Sequence, residues 1–408
     1  MPAPDDRFRY DGYAVDAASG VVRCTYSTGT HTFTEQFEFG RDGSWDEPAV
    51  AAAVRILYLL TGVSYYKTTA PPVVDLGDCA TTSGERDFLA DYFRAGLGEF
   101  AYRNGLDLDA LVVTGPDAVQ PDTVDYAPVT GRPLIPFGGG IDSIVTAVAV
   151  AREHPESCLF VMHPPTGRFA AIEDAAAATG LPVRRAVRTL DPQVQHSAAL
   201  GFLNGHVPVT AIVTAAALVA AVLDGRDAVV LSNEWSASVP TLVAGARSVN
   251  HQWSKGEEFE RRFGDLVAEH LGPQVAVFSY LRPRTELWVA EQFAALTAFP
   301  LLSQLQSRLS PGPLATPRPL VRVVRQVLLH RSGAGSLHGA GAARRRLRWL
   351  RTIGEPRERA AVPRPGRTGT GPATFRMRGR CRRVPGCCGA GGAATGSRRE
   401  RTAPTAPR

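Results

Sequence analysis

Apolar and polar residues alternate through the first forty positions, in "FRYDGYAVD", "GVVRCTYST" and "HTFTEQFEF", with Gly or small polar residues between them. A period of two sends side chains to opposite faces of a strand, so this spacing predicts a small antiparallel meander. The period then lengthens. Ser44 and Glu47 fit a capping box before "PAVAAAVRILYLLTG", whose apolar residues recur at helical spacing, and Thr82 with Glu85 fits a second box before "RDFLADYFRAGLGEFAYRNG". Residues 1–130 are therefore expected to form a smaller α+β N-terminal domain.

From Pro133 short apolar runs alternate with helical patterns, which is how a parallel sheet covered on both faces is written. Strands are expected at 133–137, 157–162, 181–187, 227–232 and 275–280, and helices at 142–153, 169–179, 208–223, 257–271 and 285–299. Five strand–helix units predict an α/β fold, an open, doubly wound, mostly parallel five-stranded sheet, over residues 131–308. The longest apolar stretch, Val207 to Gly225, is Ala- and Thr-rich and bounded by Pro208 and Asp224. It reads as a buried helix rather than a membrane span of about 20 strongly apolar residues. Beyond residue 308 periodicity dissolves into Arg, Gly, Pro and Ala, a tail expected to be disordered or the product of an out-of-frame reading.

Composition changes this picture in two ways. The chain of 408 residues is 44% hydrophobic, enough for real cores, and its start, "MPAPDDRFRYDG", has neither the basic nor the apolar region of a secretory signal. A cytoplasmic protein is expected, with no membrane partner. The formal charge of +6 suggests nucleic acid, but 19 Arg and only 3 Glu fall within residues 331–408. The first 330 residues are thus left with a net charge near −10, and no nucleic-acid partner is expected. Cys24, Cys79 and Cys158 are scattered singly, and Cys381, Cys387 and Cys388 lie in the tail, so no disulfide framework is written here.

The most informative stretch is "PFGGGIDSIVT", Pro136 to Thr146. Gly138, Gly139 and Gly140 stand at the carboxyl end of the first strand of the parallel sheet, where ligands bind in open α/β folds. Residues without Cβ let several backbone N–H groups face one point, and the following helix adds its positive end, so the loop is expected to cradle an anion, most naturally phosphate. A Walker A loop would need a Lys, and the dinucleotide fingerprint a third glycine where Ser143 stands. The loop instead resembles the S-G-G-x-D-S pyrophosphate loop of the ATP pyrophosphatase superfamily, with Gly138 in place of the first Ser. The resemblance implies ATP as ligand, held by the backbone of Gly139, Gly140, Ile141, Asp142 and Ser143 and the Ser143 hydroxyl. Asp142 would then hold Mg²⁺ or cap the helix.

Two polar clusters interrupt the later units, "LSNEWSAS" (231–238) after the fourth strand and "VNHQWSKGEEFE" (249–260) before a helix. The first carries Asn233, Glu234 and Ser236, the second His251 and Lys255. Lys255 and Lys67, in "GVSYYKTT", are the two lysines of a chain otherwise committed to Arg, which singles out positions where a compact, tunable ammonium matters. The spacing of His154, His163 and His206 marks them as structural.

With "GLGEFAYRNGLDL" and the amino-terminal segments, these stretches resemble the ATP-dependent UDP-N-acetylmuramoyl-L-alanyl-L-glutamate epimerases of bacterial cell-wall synthesis over about residues 7–300. That family's Cys-rich C-terminal stretch is replaced here by the tail, so no metal site is assigned to Cys381, Cys387 or Cys388. The resemblance implies a UDP-linked muramoyl dipeptide as partner and adenylation of its terminal L-glutamate, followed by inversion at the α-carbon and release of AMP and pyrophosphate. For such chemistry Lys67 and Lys255 are expected on substrate carboxylates or phosphates, Asn233 and Ser236 on the substrate, and Lys255, His251 and Glu234 as the catalytic residues, with proton transfer on His251 or Glu234. Another AMP-forming enzyme of the superfamily, an amide-forming synthetase or a tRNA-modifying enzyme, and an inactive nucleotide-binding paralogue remain alternatives.

Overall fold

The computed structural model describes residues 6–296 except 241, 245 and 246. Three antiparallel strands, β1 (Arg7–Asp16), β2 (Val21–Thr28) and β3 (His31–Glu38), form the expected meander. There follow α1 (Pro48–Thr61), α2 (Val63–Tyr66), β4 (Val73–Asp75), α3 (Ser83–Gly96), α4 (Gly98–Asn104) and β5 (Val112–Thr114). The alternating part runs β6 (Val129–Pro136), α5 (Ile141–Ala151), β7 (Cys158–His163), α6 (Ala170–Thr179), β8 (Val183–Thr189), α7 (Val209–Leu223) and β9 (Arg226–Leu231). A small hairpin, β10 (Leu242–Ala244) and β11 (Arg247–Val249), precedes α8 (Glu257–Leu271), β12 (Ala276–Ser279) and α9 (Glu286–Ala295). The expected Arg/Pro/Gly tail, and the end of the last expected helix, lie outside the described residues.

The sheet has ten strands rather than five, in the order β12-β9-β6-β7-β8-β3-β2-β1-β4-β5. The five expected parallel strands form one half of it, β12-β9-β6-β7-β8. They do not end at an open edge, because β3 pairs antiparallel with β8, Gln36 opposite Thr189 and Glu38 opposite Val187, and carries the meander into the same sheet. The short strands β4 and β5 then extend β1 in parallel.

Both faces are covered, as double winding requires. Along β6 Leu134 faces a core built with α1, α7 and α8, while Ile135 faces a second core built with α5, α6 and α9; in β9 Val229 and Leu231 take the first side, Ala228 and Val230 the second. The buried helix expected between Val207 and Gly225 is α7, with twelve of its fifteen residues buried. The stretch Pro48–Tyr66 is the one helical segment among the described residues that is long and apolar enough to cross a membrane, and it is largely buried.

The two expected capping boxes part company. At α3 the Thr82 hydroxyl accepts from the Glu85 amide and the Glu85 carboxylate accepts from the Thr82 amide, a complete box. At α1 there is none: Glu47 itself is the N-cap without a side-chain bond, because Pro48 occupies the first turn, where its fixed φ and missing N–H suit a helix start. The other end of α1 is buried, and its last carbonyls need donors. Four hydroxyls supply them: Thr61 donates to Leu57 O (2.7 Å), Tyr26 to Tyr58 O (2.7 Å), Tyr10 to Leu59 O (2.7 Å) and Tyr92 to Leu60 O (3.0 Å). The tyrosine ring fits only because residue 62 is glycine, since a Cβ there would stand 2.4 Å from the Tyr10 hydroxyl.

Glu85 also knits three helices together. Its carboxylate accepts from Arg55 of α1 at 2.5 Å and lies 2.9 Å from Nε2 of His270 in α8. Burial would push its pKa up, but bonds from His270 and Arg55, the Arg55 charge and the Thr82 amide outweigh it and hold the carboxyl at about 2. A depressed carboxylate stabilises the fold above its unfolded pKa, and that stability is lost as pH falls through the folded value. Glu85→Gln is therefore expected to cost on the order of 3 kcal/mol at pH 7. The difference from wild type should shrink from about pH 5 downward in urea titrations; a pH-independent difference would contradict this.

Candidate active site

The chain order puts a topological switch at β6. It steps from β6 to β7 and β8 on one side and returns to place β9 on the other, so the segments leaving the carboxyl ends of β6 and β9 diverge and leave a crevice. The segment leaving β6 is the glycine loop, and the one leaving β9 is "SNEWSAS".

The loop bends at Gly139 and Gly140, directly before α5. Gly139 sits at φ +69°, and a Cβ there would lie 3.0 Å from Cα of Ile172 and 3.3 Å from Ala171 O, so the position is closed to other residues. Around Gly138 and Gly140 the equivalent Cβ would meet nothing within 4 Å, which leaves open space on the ligand side. Gly140 is the N-cap of α5 and offers no side chain, so the first-turn N–H groups keep no side-chain cap. Asp142 lies in the first turn and is not the cap, which removes that one of its two expected roles. The Ser143 hydroxyl, 7% exposed, donates to Gly140 O at 2.9 Å and so braces the loop itself.

Across the crevice Glu234 and Glu286, from the first turn of α9, share one hydroxyl. Ser236 Oγ is 3.0 Å from Glu234 Oε1 and 3.2 Å from Glu286 Oε1. The other Glu234 oxygen is buried without a hydrogen-bond partner. Burial, followed by the charges of Asp142 and Glu286 and the bond to Glu286, pushes Glu234 up to about 7 against the opposing Ser236 bond. The Asp142 carboxyl is also raised, by burial first, with Lys255 working against it and Glu286 with it. Asp142, Glu234, Ser236, Glu286 and Lys255 are thus one electrostatic cluster.

The remaining candidates are held by other partners. Asn233 turns inward, its amide donating to Ser279 Oγ at 3.2 Å. The ring of His251 lies 6.2 Å from that of His206, nearly perpendicular to it, so His206, expected to be structural, stands beside a candidate proton-transfer residue. Burial lowers the His206 pKa, and the His251 and Lys255 charges act in the same direction, with Glu99 opposing. Lys67 follows α2 and donates to Asn204 Oδ1 at 3.1 Å, in the turn that leads to His206; burial and then the Arg188 charge lower its pKa. No group of three His, Cys, Asp or Glu side chains among the described residues is arranged to cage a metal ion.

Glu286, and Arg282, which donates to Glu234 O and Lys255 O, border this cluster and were not legible in the sequence, where the stretch from Thr285 reads as the start of a helix. The usable signal is position: the segment follows the carboxyl end of β12, next to β9, as the glycines follow β6. A cavity of 590 Å³ beside the 249–258 segment is lined by Arg94, Tyr102, Leu106, Ser238, Asn250 and Trp253 among others.

Residues 2–280 match the family described as the MurL N-terminal domain. A protein of Xanthomonas oryzae pv. oryzae named UDP-N-acetyl-alpha-D-muramoyl-L-alanyl-L-glutamate epimerase is 37% identical over 295 residues, 70% of this chain and 64% of that protein. One of the same name from Salinispora tropica is 36% identical over 303 residues, 72% of this chain and 65% of that protein. The chain thus spans just under two thirds of the length of these relatives. Among solved structures, an NH3-dependent NAD synthetase from Campylobacter jejuni is 14% identical, with a TM-score of 0.20, over 51% of this chain and 89% of that one.

Proposed function

The chain belongs to the MurL N-terminal domain family, and from that premise we propose that it epimerises the terminal L-glutamate of UDP-N-acetylmuramoyl-L-alanyl-L-glutamate at the expense of ATP. The observation that carries this proposal is the meeting, at the switch point of the parallel sheet, of a glycine nest for phosphate and a carboxyl group poised near neutrality.

The α-proton of a glutamate with a free α-carboxylate is hard to remove, because the carbanion would stand beside a negative charge. Adenylating that carboxylate removes the charge and lets the acyl group delocalise the carbanion. The open space over Gly138 and Gly140 and the uncapped first turn of α5 fit the β- and γ-phosphates of ATP. Magnesium keeps waters and phosphate oxygens as ligands and asks the protein for one or two carboxylates, a demand Asp142 meets. Bound there, the ion would neutralise charge on the departing pyrophosphate. Lys255, beside Asp142, would hold a phosphate or the substrate carboxylate, and Lys67, near the His206 turn, the outer part of the substrate. Asn233 and Ser236 shape the floor through Ser279 and the two glutamates.

Proton transfer falls to Glu234, with His251, on the loop that Asn250 ties to the Glu234 segment, as the second group. A base whose pKa lies near the working pH combines ionisation with proton affinity. Glu286 contributes to keeping Glu234 there, so Glu286→Gln is expected to move the acidic limb of the pH–rate profile to lower pH. A limb that stays in place would remove Glu234 from this role.

The activity is tested by incubating the chain with Mg-ATP and the muramoyl dipeptide. AMP is expected only when both are present. AMP that instead depends on ammonia or tRNA would point to another member of the superfamily, and ATP binding without AMP to a chain that holds nucleotide and does not turn it over.

A further inference from the structure

Arg282 follows β12 and makes no hydrogen bond to the glycine loop, yet its guanidinium reaches both polar segments that carry candidate residues. Nη1 donates to Glu234 O at 3.0 Å and to Ser238 Oγ at 3.3 Å; Nη2 donates to Lys255 O at 2.7 Å and to Glu260 Oε2 at 2.6 Å. Two of these four partners are the backbone carbonyls of Glu234 and Lys255 themselves. The side chain is 12% exposed and Glu260, its counter-ion, 14%.

We infer that Arg282 is a positioning residue of the site, a mostly buried clamp that fixes the Glu234 loop and the His251–Lys255 loop at one spacing. The inference rests on the activity proposed above. The segments it ties come from β9 and from the residues between β11 and α8, and each is a short 3₁₀ turn, Trp235–Ser238 and Trp253–Lys255. Such turns have few internal bonds and poor hydrogen-bond geometry, so their spacing is set by bonds between segments: Asn250 Nδ2 donates to Ala237 O at 2.9 Å, the Glu257 amide to Ser238 Oγ at 3.0 Å, and the Arg282 fork adds the tie at Glu234 and Lys255. A planar fork with donors at fixed divergence can hold two carbonyls at once.

The clamp is itself braced. Ser279 Oγ, 3% exposed, donates to Glu260 Oε2 at 2.5 Å and accepts from the Asn233 amide at 3.2 Å, so the Glu260 carboxylate that balances the Arg282 charge is oriented by the same network that turns Asn233 inward. A lysine at 282 would keep the charge opposite Glu260. It would lose the geometry, because an ammonium on a flexible stem lacks the rigid fork that holds the Glu234 and Lys255 carbonyls at a fixed divergence. None of the bonds of Arg282 goes to Gly138–Ser143, so ATP binding has no reason to change.

The test is Arg282→Lys in the full chain, read two ways. In hydrogen exchange, amides of 235–239 and 253–256 should exchange about tenfold faster or more while those of β9 keep their wild-type rates. In turnover, kcat should fall roughly 10- to 100-fold with KM for ATP within about twofold. Unchanged exchange in both segments would overturn the clamp. Faster exchange with unchanged kcat would overturn its role in positioning, as would a loss confined to KM for ATP. If the wild-type chain forms no AMP, the proposed activity fails and the exchange measurement alone decides the clamp. Should the lysine variant not fold, Ser279→Ala, which removes the brace, is expected to move the same exchange and kcat readouts by a smaller factor, and no movement in either would overturn the inference.

Discussion

Asp142→Ala is expected to lower AMP formation by at least about 100-fold, the scale of removing one preorganised electrostatic group from a site where charge develops. The fold should be nearly untouched, since Asp142 makes no capping bond and its removal costs only a first-turn carboxylate at the positive end of α5, about 0.5 kcal/mol. Loss of turnover without loss of melting temperature is therefore the expected pair of results, measured by AMP release and thermal unfolding. The companion change Gly139→Ala acts on the backbone instead. It forces a side chain into a φ of +69° with its Cβ 3.0 Å from Ile172, so it should weaken both ATP turnover and the packing of α6. Full AMP formation in the Asp142 variant would separate the glycine loop from the chemistry.

The largest stability effect is expected at the seam between the meander and the parallel strands. There Glu35 of β3, fully buried, pairs with Arg188 of β8, whose other nitrogen donates to Ser64 Oγ at 3.0 Å. Burial pushes the Glu35 carboxyl up and the Arg188 charge opposes it. Removing one partner leaves the other charge buried and unpaired, so Arg188→Ala should cost about 3–5 kcal/mol in urea unfolding. Replacing both by apolar residues of similar volume, Glu35→Leu with Arg188→Met, should recover most of that loss, because no stranded charge remains. A double variant as unstable as the single would mean that the pair sets the β3–β8 register rather than merely tolerating burial.

That seam also marks where the sequence stops being legible. The strands at 133–137, 157–162 and 227–232 are readable because each is a run of apolar residues that must be buried on both faces, and the period changes sharply at the flanking helices; 181–187 is readable from its place between two helical patterns, since Arg184 and Arg185 interrupt it and Ala186 is the buried residue of β8. The pairing of β3 with β8 is not readable, since it joins residues about 150 apart and leaves no periodic trace. β4 and β5 are three residues each, too short to display a period at all. The Ser44–Glu47 pattern misleads because Pro48 determines the helix start more strongly than the Ser–Glu spacing does.

The site divides in the same way. Gly138 to Ser143 form a local device whose parts are consecutive, so the nest can be read before any fold is known. Glu234 and Lys255 stand out by composition alone, one within a polar cluster and one as a rare lysine. Their functional setting does not. Glu286 raises Glu234 only because β12 lies beside β9, Arg282 ties Glu234 to Lys255 only through two backbone carbonyls, and His206 meets His251 across 45 residues of chain. Contacts of that kind are properties of topology, and carboxylates or histidines in isolation look like any solvated turn.

The central claim is that ATP cleavage in this crevice serves inversion at a glutamate α-carbon. The most direct test runs the reaction in D₂O with Mg-ATP and UDP-N-acetylmuramoyl-L-alanyl-L-glutamate, then measures AMP together with the configuration and mass of the released glutamate after hydrolysis of the product. The account predicts D-glutamate carrying one deuterium at the α-carbon, formed only with release of AMP. AMP formed in step with unlabelled L-glutamate would contradict it.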